Sequence, residues 1–442
     1  MAKFYINNKS GRCALSGQVE ISGSKNAVLP ILAAALLTDE GCEILDVPAL
    51  RDVEVMCMLL RSMGAKVKEH YIINSVELDA SDITSAEAPY GLVKKMRASI
   101  LAMGPLLART GKARIALPGG CAIGARPINL HLKGFRALGA KIKESGGFIE
   151  ATAASGLSGA NIYLDFPSVG ATENIIMAAV MAKGPTVLEN VAEEPEIVDL
   201  ANFLNKMGAR IKGAGTDTIK IEGVERLRGT KHTVIPDRIE TGTYMLAAAI
   251  TRSKVEIKNT VPDHVRPLIA KLKECGVGIE EVDDSLIVDA TKGPLIPADI
   301  KTLPYPGFPT DLQPQFMAFL STVKGDSAVI ETVFEKRYRH VGELNRMGAS
   351  IKAEGNVATI DGGKRLHGAQ VLATDLRAGA ALTLAALAAK GRTEISEIYH
   401  IERGYSDYIK KLRKLGVDIV KADDTPLAGR GAAAAAYGGE GL

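Results

Sequence analysis

The chain has 442 residues, of which 46% are hydrophobic and 24% charged, with 54 Lys and Arg against 51 Asp and Glu. This composition is typical of globular proteins and excludes an intrinsically disordered chain. The net charge of +3 is too balanced for a nucleic-acid coat or a polybasic membrane binder, although it permits local cationic pockets. At about 150 residues per domain, the length predicts two or three domains.

Membrane insertion and secretion are not expected from the sequence. It has no run of about 18 apolar residues, and its N-terminal segment lacks the apolar stretch of a secretory signal. Its five cysteines form no CxxC pair, which argues against a disulfide framework. We therefore expect a cytoplasmic protein with reduced thiols.

A short phrase of the type Met-Gly-Ala-Lys-Val occurs in three close copies and three looser copies along the chain. The central glycines are 75, 69, 68, 72 and 68 residues apart and are Gly64, Gly139, Gly208, Gly276, Gly348 and Gly416. A near-constant period of this length indicates a repeated α/β module. We expect each glycine to end a helix with a positive φ and to be followed by a strand.

Each repeat also contains an apolar, Ala-rich segment that predicts a buried helix. These segments are 26–37, 96–108, 170–182, 241–251, 312–322 and 378–389. Six modules indicate two domains of three modules each. If the buried helices run parallel, their N-termini gather at one end and favour anions. The Ala- and Gly-rich segment 426–442 is expected to be a disordered tail.

The most distinctive local motif is the glycine-rich segment around Cys121. Three glycines, Gly119, Gly120 and Gly124, predict a mobile loop in which the thiol is reachable, and Arg126 lies five residues further on. The alternative is a loop cysteine without a role. The other four cysteines lie in or beside apolar or helical segments and are expected to be packing residues: Cys13, Cys42, Cys57 and Cys275.

Two further polar residues open buried helices. Lys25 follows Gly23-Ser24 in a way similar to a phosphate cradle, although the P-loop spacing is absent, and a solvated lysine at a helix cap is the alternative. Asp311 is either an N-cap carboxylate or a general base facing the same cleft as Lys25.

Arginines at helix starts and in loops suit the capture of carboxylate or phosphate. Arg97, Arg377 and Arg403 have such positions, with structural ion pairs as the alternative. The histidines are not at metal-ligand spacings, and no GxGxxG follows a predicted strand. We therefore expect neither a catalytic metal nor a nicotinamide cofactor.

Several motifs in order resemble the enolpyruvyl transferase family, in particular the members that act on UDP-N-acetylglucosamine. The similarity extends from about residue 4 to 421, and the motifs are 23–27, 118–121, 124–127, 308–311, 375–377 and 400–405. The resemblance implies two inside-out α/β barrels, each of three repeated modules, with the active site between them. It further implies a discontinuous first domain, 1–24 plus 236–425, and a second domain, 25–235, that carries the Cys121 loop.

The implied reaction moves the enolpyruvyl group of phosphoenolpyruvate to the 3′-hydroxyl of UDP-N-acetylglucosamine and releases phosphate. It is the first committed step of peptidoglycan and hence cell-wall biosynthesis, and it needs no cofactor. By resemblance, Asp311 is the general base, and Cys121 is the acid and the thiol that fosfomycin alkylates. The residues implied around phosphoenolpyruvate are Lys25, Arg126 and Arg403 at its phosphate, Arg377 and Arg403 at its carboxylate, Arg97 beside them and Asn26 at the reacting centre.

The resemblance also implies a site for the nucleotide sugar. Its residues are Arg126, Pro127, Ile128, Asn129, Leu130, Ser168, Val169, Gly170, Val333 and Arg337. Two positions depart from many members, which have Asp in place of Asn129 and Lys in place of Phe166. Two alternatives remain: a transferase that uses shikimate 3-phosphate, and a non-catalytic paralogue that binds a UDP-sugar. The oligomeric state does not follow from the sequence.

Overall fold

The computed structural model describes residues 2–117, 123–124 and 126–422. The first twelve strands are β1 (Lys3–Asn8), β2 (Gln18–Glu20), β3 (Cys42–Leu45), β4 (Lys66–His70), β5 (Ser75–Asp79), β6 (Glu87–Ala88), β7 (Lys112–Ala116), β8 (Lys141–Ser145), β9 (Phe148–Thr152), β10 (Asn161–Tyr163), β11 (Pro185–Glu189) and β12 (Arg210–Lys212). They are followed by β13 (Thr218–Glu222), β14 (Lys231–Thr233), β15 (Lys254–Lys258), β16 (Gly278–Val282), β17 (Ser285–Asp289), β18 (Ile300–Lys301), β19 (Gly325–Ile330), β20 (Ile351–Glu354), β21 (Val357–Gly362), β22 (Gln370–Leu372), β23 (Gly391–Ser396) and β24 (Ile419–Ala422).

Helices alternate with these strands along the chain. They are α1 (Lys25–Ala34), α2 (Arg51–Ser62), α3 (Tyr90–Val93), α4 (Met103–Thr110), α5 (Asn129–Ala137), α6 (Val169–Ala179), α7 (Pro195–Lys206), α8 (Arg238–Ile250), α9 (Arg266–Glu274), α10 (Gln313–Leu320), α11 (Val341–Arg346), α12 (Leu376–Ala388), α13 (Tyr399–Glu402) and α14 (Tyr408–Lys414). Short 3₁₀ turns are Ala35–Leu37, Arg97–Ala102, Pro262–Val265, Thr310–Leu312 and Arg337–His340. None of the helices in the described ranges is long and apolar enough to cross a bilayer.

The strands of the described chain form six four-stranded sheets with one shared pattern. In each sheet one edge strand runs parallel to its neighbour, and the other two pairings are antiparallel. The strand orders are β14-β3-β5-β4, β6-β7-β9-β8, β10-β11-β13-β12, β2-β15-β17-β16, β18-β19-β21-β20 and β22-β23-β1-β24. The predicted sixfold repeat is therefore confirmed as six copies of one α/β module.

The predicted glycine caps are confirmed at all six repeats. The φ angles are +106° at Gly64, +93° at Gly139, +104° at Gly208, +87° at Gly276, +95° at Gly348 and +97° at Gly416. A positive φ is accessible to glycine without steric cost, so the chain can leave the helix and turn into the next strand.

The Ala-rich segments form buried helices, although some begin later than predicted. Segment 96–108 starts with the 3₁₀ turn Arg97–Ala102, and α4 begins only at Met103. Pro105 has no backbone N–H to donate, which restricts it to the first turn of an α-helix. Pro314 fixes the start of α10 for the same reason.

The buried apolar side chains form two clusters. One is built from residues 27–234, and the other from residues 4–21 together with 239–419. Each cluster holds three of the Ala-rich helices, and three sheets surround each set. Helices inside and sheets outside give two inside-out α/β barrels, as predicted.

Candidate functional site

Asp311 lies between two arginines at the start of buried helices. Its Oδ1 accepts a hydrogen bond from Arg337 Nη2 and its Oδ2 accepts one from Arg377 Nη2, both at 2.8 Å. Burial opposes ionisation of Asp311, but the charges of Arg377 and Arg337 outweigh it and lower the pKa of this carboxyl well below its usual range. Its side chain caps no helix, so the N-cap alternative for Asp311 is wrong.

The arginine that opens α12 is held from several sides. Asp375 caps the helix by accepting hydrogen bonds from the N–H groups of Arg377 and Ala378. Arg377 Nη1 donates to the Tyr405 hydroxyl at 3.4 Å, and that hydroxyl also lies 2.9 Å from Thr243 Oγ1. The guanidinium is therefore presented in one orientation beside Asp311.

A second group of charges surrounds Lys25 at the start of α1. Ser24 caps this helix by accepting a hydrogen bond from the Ala27 N–H. Lys25 Nζ lies 2.8 Å from Asp52 Oδ2, and Arg403 Nε donates to Asp52 Oδ1 at 2.8 Å. The solvated-lysine alternative is therefore wrong, because only 13% of the Lys25 side chain is exposed.

The two charge groups lie near each other, and the space between them is called the cleft below. Burial lowers the pKa of Lys25, the charges of Arg377 and Arg403 lower it further, and Asp52 partly offsets them. A desolvated ammonium and two guanidinium groups that influence one another in this way attract a small molecule with several negative charges. The structure thus brings Lys25, Asp311, Arg377 and Arg403 together, from four distant parts of the chain.

Ile123, Gly124 and Arg126 lie against residues 334–336. Lys336 N–H donates to the Ile123 carbonyl at 3.1 Å, and the Arg126 guanidinium lies 5.3 Å from the centre of the Phe334 ring. Arg97 donates to the Arg126 carbonyl. Arg97 and Arg126 are therefore joined, while Cys121, with Pro118 to Ala122, falls outside the described residues.

The residues expected around the nucleotide sit at two helix starts. Ile128, Asn129 and Leu130 begin α5, and Ser168 caps α6 by accepting from the Ala171 N–H. Between these helix starts lies His131, whose Nδ1 is 3.1 Å from Asn174 Nδ2. The Asn174 oxygen accepts from the Gly104 N–H, so its amide nitrogen faces His131 and the imidazole proton resides on Nε2.

Of the other predicted residues, Asn26 lies in the first turn of α1 and Pro127 lies two residues before α5. Val169 and Gly170 form the first turn of α6. Val333 N–H donates to Glu331 Oε1 at 2.8 Å, and Arg337 pairs with Asp311 through its Nη2. Phe166, one of the two departures, is 43% exposed.

Sequence reasoning missed Asp52, the carboxylate that joins Lys25 and Arg403. Its signal in the sequence is weak, because an acidic residue in the first turn of a helix is common for reasons of helix polarity. Arg238 and Glu196 were missed as well; Arg238 Nε lies 3.0 Å from Glu196 Oε1, with 10% and 2% of their side chains exposed. In the described residues no group of three or more His, Cys, Asp and Glu side chains could hold a metal ion.

Comparison with known proteins defines the class to which this fold and site belong. Residues 9–412 match the family described as EPSP synthase (3-phosphoshikimate 1-carboxyvinyltransferase). The enolpyruvyl transferase NikO from Streptomyces tendae superposes with a TM-score of 0.84 at 27% identity, over 95% of this chain and 98% of that one. An EPSP synthase from Acinetobacter baumannii shares the fold at 18% identity, with a TM-score of 0.74 over 96% and 100% of the two chains.

Relatives of much higher identity define the branch. UDP-N-acetylglucosamine 1-carboxyvinyltransferase 2 of Carboxydothermus hydrogenoformans is 60% identical, over 96% of this chain and 100% of that protein. UDP-N-acetylglucosamine 1-carboxyvinyltransferase 1 of Staphylococcus aureus strain MRSA252 is 55% identical over 93% and 97%. The chain belongs to the UDP-N-acetylglucosamine 1-carboxyvinyltransferase branch of the enolpyruvyl transferase family.

Proposed function

We propose that the protein transfers the enolpyruvyl group of phosphoenolpyruvate to the 3′-hydroxyl of UDP-N-acetylglucosamine, with release of phosphate. The reaction is the first committed step of peptidoglycan biosynthesis, and the relatives at 55–60% identity carry its name. The observation that carries the proposal is the ionised Asp311 carboxylate in a cleft with Lys25, Arg377 and Arg403. A proton acceptor surrounded by cations suits the deprotonation of a hydroxyl beside a polyanionic co-substrate.

In this proposal, the cations of the cleft hold phosphoenolpyruvate. Lys25, Arg126 and Arg403 bind its phosphate, and Arg377 with Arg403 binds its carboxylate, with Arg97 beside them. Guanidinium groups match both anions because they donate two parallel hydrogen bonds. Asn26, in the first turn of α1, hydrogen-bonds the reacting centre.

Two residues move the protons. Asp311 takes the proton of the 3′-hydroxyl while the 3′-oxygen of the sugar forms a bond with C2 of phosphoenolpyruvate. Cys121 gives a proton to the C3 methylene. The resulting adduct loses phosphate, which takes up the proton held by Asp311, and it returns one C3 proton to the Cys121 thiolate. This restores the double bond and both protein groups.

The nucleotide sugar occupies the helix starts beside this cleft. Backbone N–H groups at the N-termini of α5 and α6 suit its diphosphate. The proposed contacts are Arg126, Pro127, Ile128, Asn129, Leu130, Ser168, Val169, Gly170, Val333 and Arg337. Asn129 and Phe166 affect the affinity for this substrate and leave the reaction class unchanged.

The proposed site lies between two domains, 1–24 plus 236–425 and 25–235. Their limits agree with the two hydrophobic clusters, which exchange at residues 21–27 and 234–239. A cytoplasmic location belongs to the same proposal, because both substrates are cytoplasmic metabolites.

Phosphate release tests the function directly. The protein is incubated with phosphoenolpyruvate and either UDP-N-acetylglucosamine or shikimate 3-phosphate. Phosphate release is expected with UDP-N-acetylglucosamine and not with shikimate 3-phosphate. Product only with shikimate 3-phosphate would assign the sister activity. Binding of UDP-N-acetylglucosamine without turnover would make the protein a non-catalytic binder. Asp311→Ala and Cys121→Ala are assayed in parallel, and both are expected to lose turnover.

A further inference from the structure

Two consecutive residues of α2, Arg51 and Asp52, form ion pairs with two consecutive residues at the end of α13, Glu402 and Arg403. Arg51 Nη2 lies 3.1 Å from Glu402 Oε2, and Asp52 Oδ1 accepts a hydrogen bond from Arg403 Nε at 2.8 Å. These pairs join the two hydrophobic clusters, because α2 belongs to the first and α13 to the second. The outer pair is solvent-exposed at Arg51, whereas only 4% of the Asp52 side chain is exposed.

Asp52 differs from its neighbour because it makes a second ion pair inside the cleft. Its Oδ2 lies 2.8 Å from Lys25 Nζ and accepts from Arg403 Nη2 at 3.3 Å. One buried carboxylate therefore bridges two cations that the reaction is proposed to use. Removing one member of such a buried group leaves the others without compensation, and the consequence is far larger than at an exposed pair.

Two cations and one carboxylate act on the ammonium group of Lys25. Arg377 of α12 and Arg403 after α13 disfavour its ammonium form, as does burial. Asp52 of α2 opposes them at its Nζ, while Asp237, before α8, accepts a hydrogen bond from the Lys25 backbone N–H. Without the carboxylate of Asp52, three influences would favour the neutral amine, which binds phosphate poorly.

We propose that Asp52 is a positioning residue that keeps Lys25 charged and holds Arg403 over the cleft for the anionic co-substrate. This inference rests on the proposed function. Asp52 itself carries a negative charge and does not bind the phosphate, so its effect passes entirely through Lys25 and Arg403. It acts on the binding of phosphoenolpyruvate more than on the proton transfer at Asp311.

The variant Asp52→Asn tests the proposal, since it keeps the size of the side chain and removes its charge. In the wild-type protein, kcat/KM for phosphoenolpyruvate is expected to fall at alkaline pH when Lys25 loses its proton. In Asp52→Asn this fall is expected about 1–3 pH units lower, because a neighbouring opposite charge shifts a pKa by that amount. The matched control is Glu402→Gln, which removes an adjacent carboxylate that pairs with Arg51 and not with Lys25. It is expected to keep the wild-type pH profile.

A loss of activity that is equal at every pH, or an unchanged profile, would overturn the role of Asp52. If Asp52→Asn turns over too slowly, the labelling of Lys25 by acetic anhydride is followed by peptide mass spectrometry. Neutral amines react, so Lys25 is expected to be labelled at least tenfold faster at pH 8 in the variant than in the wild type. Equal rates would also overturn the proposal. This measurement needs no turnover, so it judges Asp52 even if the wild-type protein fails to release phosphate.

Discussion

Asp311 and the buried Arg377 form an ion pair, with 2.8 Å between Oδ2 and Nη2, at the point where the two helices α10 and α12 begin. Arg337 contacts the other carboxylate oxygen, so both oxygens are engaged by guanidinium groups. The two arginines keep Asp311 ionised and at the same time make it a weak base. In the proposed reaction, Arg377 also pairs with the carboxylate of phosphoenolpyruvate and therefore stabilises the charge of Asp311 less. Binding of the co-substrate then raises the proton affinity of Asp311 when it is needed.

Asp311→Asn is expected to lose catalysis while keeping the fold. The amide preserves the shape but cannot take the proton of the hydroxyl, and loss of a general base typically lowers kcat by about 10²–10⁴-fold. Phosphate release under saturating substrates measures kcat, and circular dichroism verifies the fold. Asp326→Asn is the control, because Asp326 is an exposed residue of β19. An Asp311→Asn variant with more than about a tenth of the wild-type kcat would contradict the role of a general base.

Cys121 is expected to be the thiol that fosfomycin modifies. Intact-mass spectrometry of the wild-type protein should show one covalent adduct, and Cys121→Asp should remain active without forming it, because a carboxyl group donates a proton but forms no thioether. Cys13→Ala is the control. Burial raises the pKa of the Cys13 thiol to about 11, so this cysteine stays unreactive, and its variant should still be modified. An adduct on Cys121→Asp would refute the assignment.

His131 is expected to make the protein less stable in mild acid. Burial lowers its pKa to about 3, and the charges of Arg97 and Arg126 contribute. The unfolded chain takes up this proton near pH 6.5 while the folded chain does not. The stability contributed by neutral His131 is therefore complete above pH 6.5 and is lost as the pH falls toward 3, by about 1.4 kcal/mol per pH unit.

The comparison of wild type with His131→Gln isolates this contribution, because all other titrating groups are shared. Urea unfolding at pH 7.5 and pH 5.5 gives the free energy of unfolding of both proteins. The wild type is expected to lose about 1–2 kcal/mol more than the variant over this interval. An equal loss in both proteins would show that His131 takes up its proton in the folded state.

Much of the fold could be predicted because each module repeats the same local signals. The glycine at each helix end and the Ala-rich helix are consequences of short-range chemistry, namely a positive φ and burial on all sides. Helix starts were less accurate, since prolines such as Pro105 and Pro314 delay the first α-helical turn. The pairing of β1 with β23 and β24 joins opposite ends of the chain, and no local signal indicates it.

Site residues could be predicted where a charged side chain lies at the start of a buried helix. They could not be predicted where ion pairs form between distant parts of the chain. Lys25, Asp311 and Arg377 open buried helices, so their sequence context already pointed to a shared site. Asp52 was missed because its partners lie 27 residues before it and 351 residues after it. An acidic residue in the first turn of an amphipathic helix looks the same whether it faces solvent or a buried lysine.

The last prediction compares two glycines that occupy the same position of the repeat. Both have a positive φ, which any other residue adopts at a cost of about 1–2 kcal/mol. A Cβ at Gly64 would lie 2.4 Å from the Asp82 carbonyl oxygen and 2.7 Å from the Thr84 nitrogen, whereas a Cβ at Gly139 would have open space within 4 Å. Gly139→Ala therefore loses stability only through the strained backbone conformation. Gly64→Ala loses further stability because neighbouring backbone must be displaced.

Urea unfolding should consequently rank the two variants. Gly139→Ala is expected to lower the free energy of unfolding by about 1–2 kcal/mol, and Gly64→Ala by about 1–3 kcal/mol more. Gly208→Ala provides a second control, because its Cβ would also meet nothing within 4 Å at a φ of +104°. It should match Gly139→Ala. Equal destabilisation at Gly64 and Gly139 would mean that the segment 82–84 moves away freely, and the close packing of helix end against loop would then contribute nothing to stability.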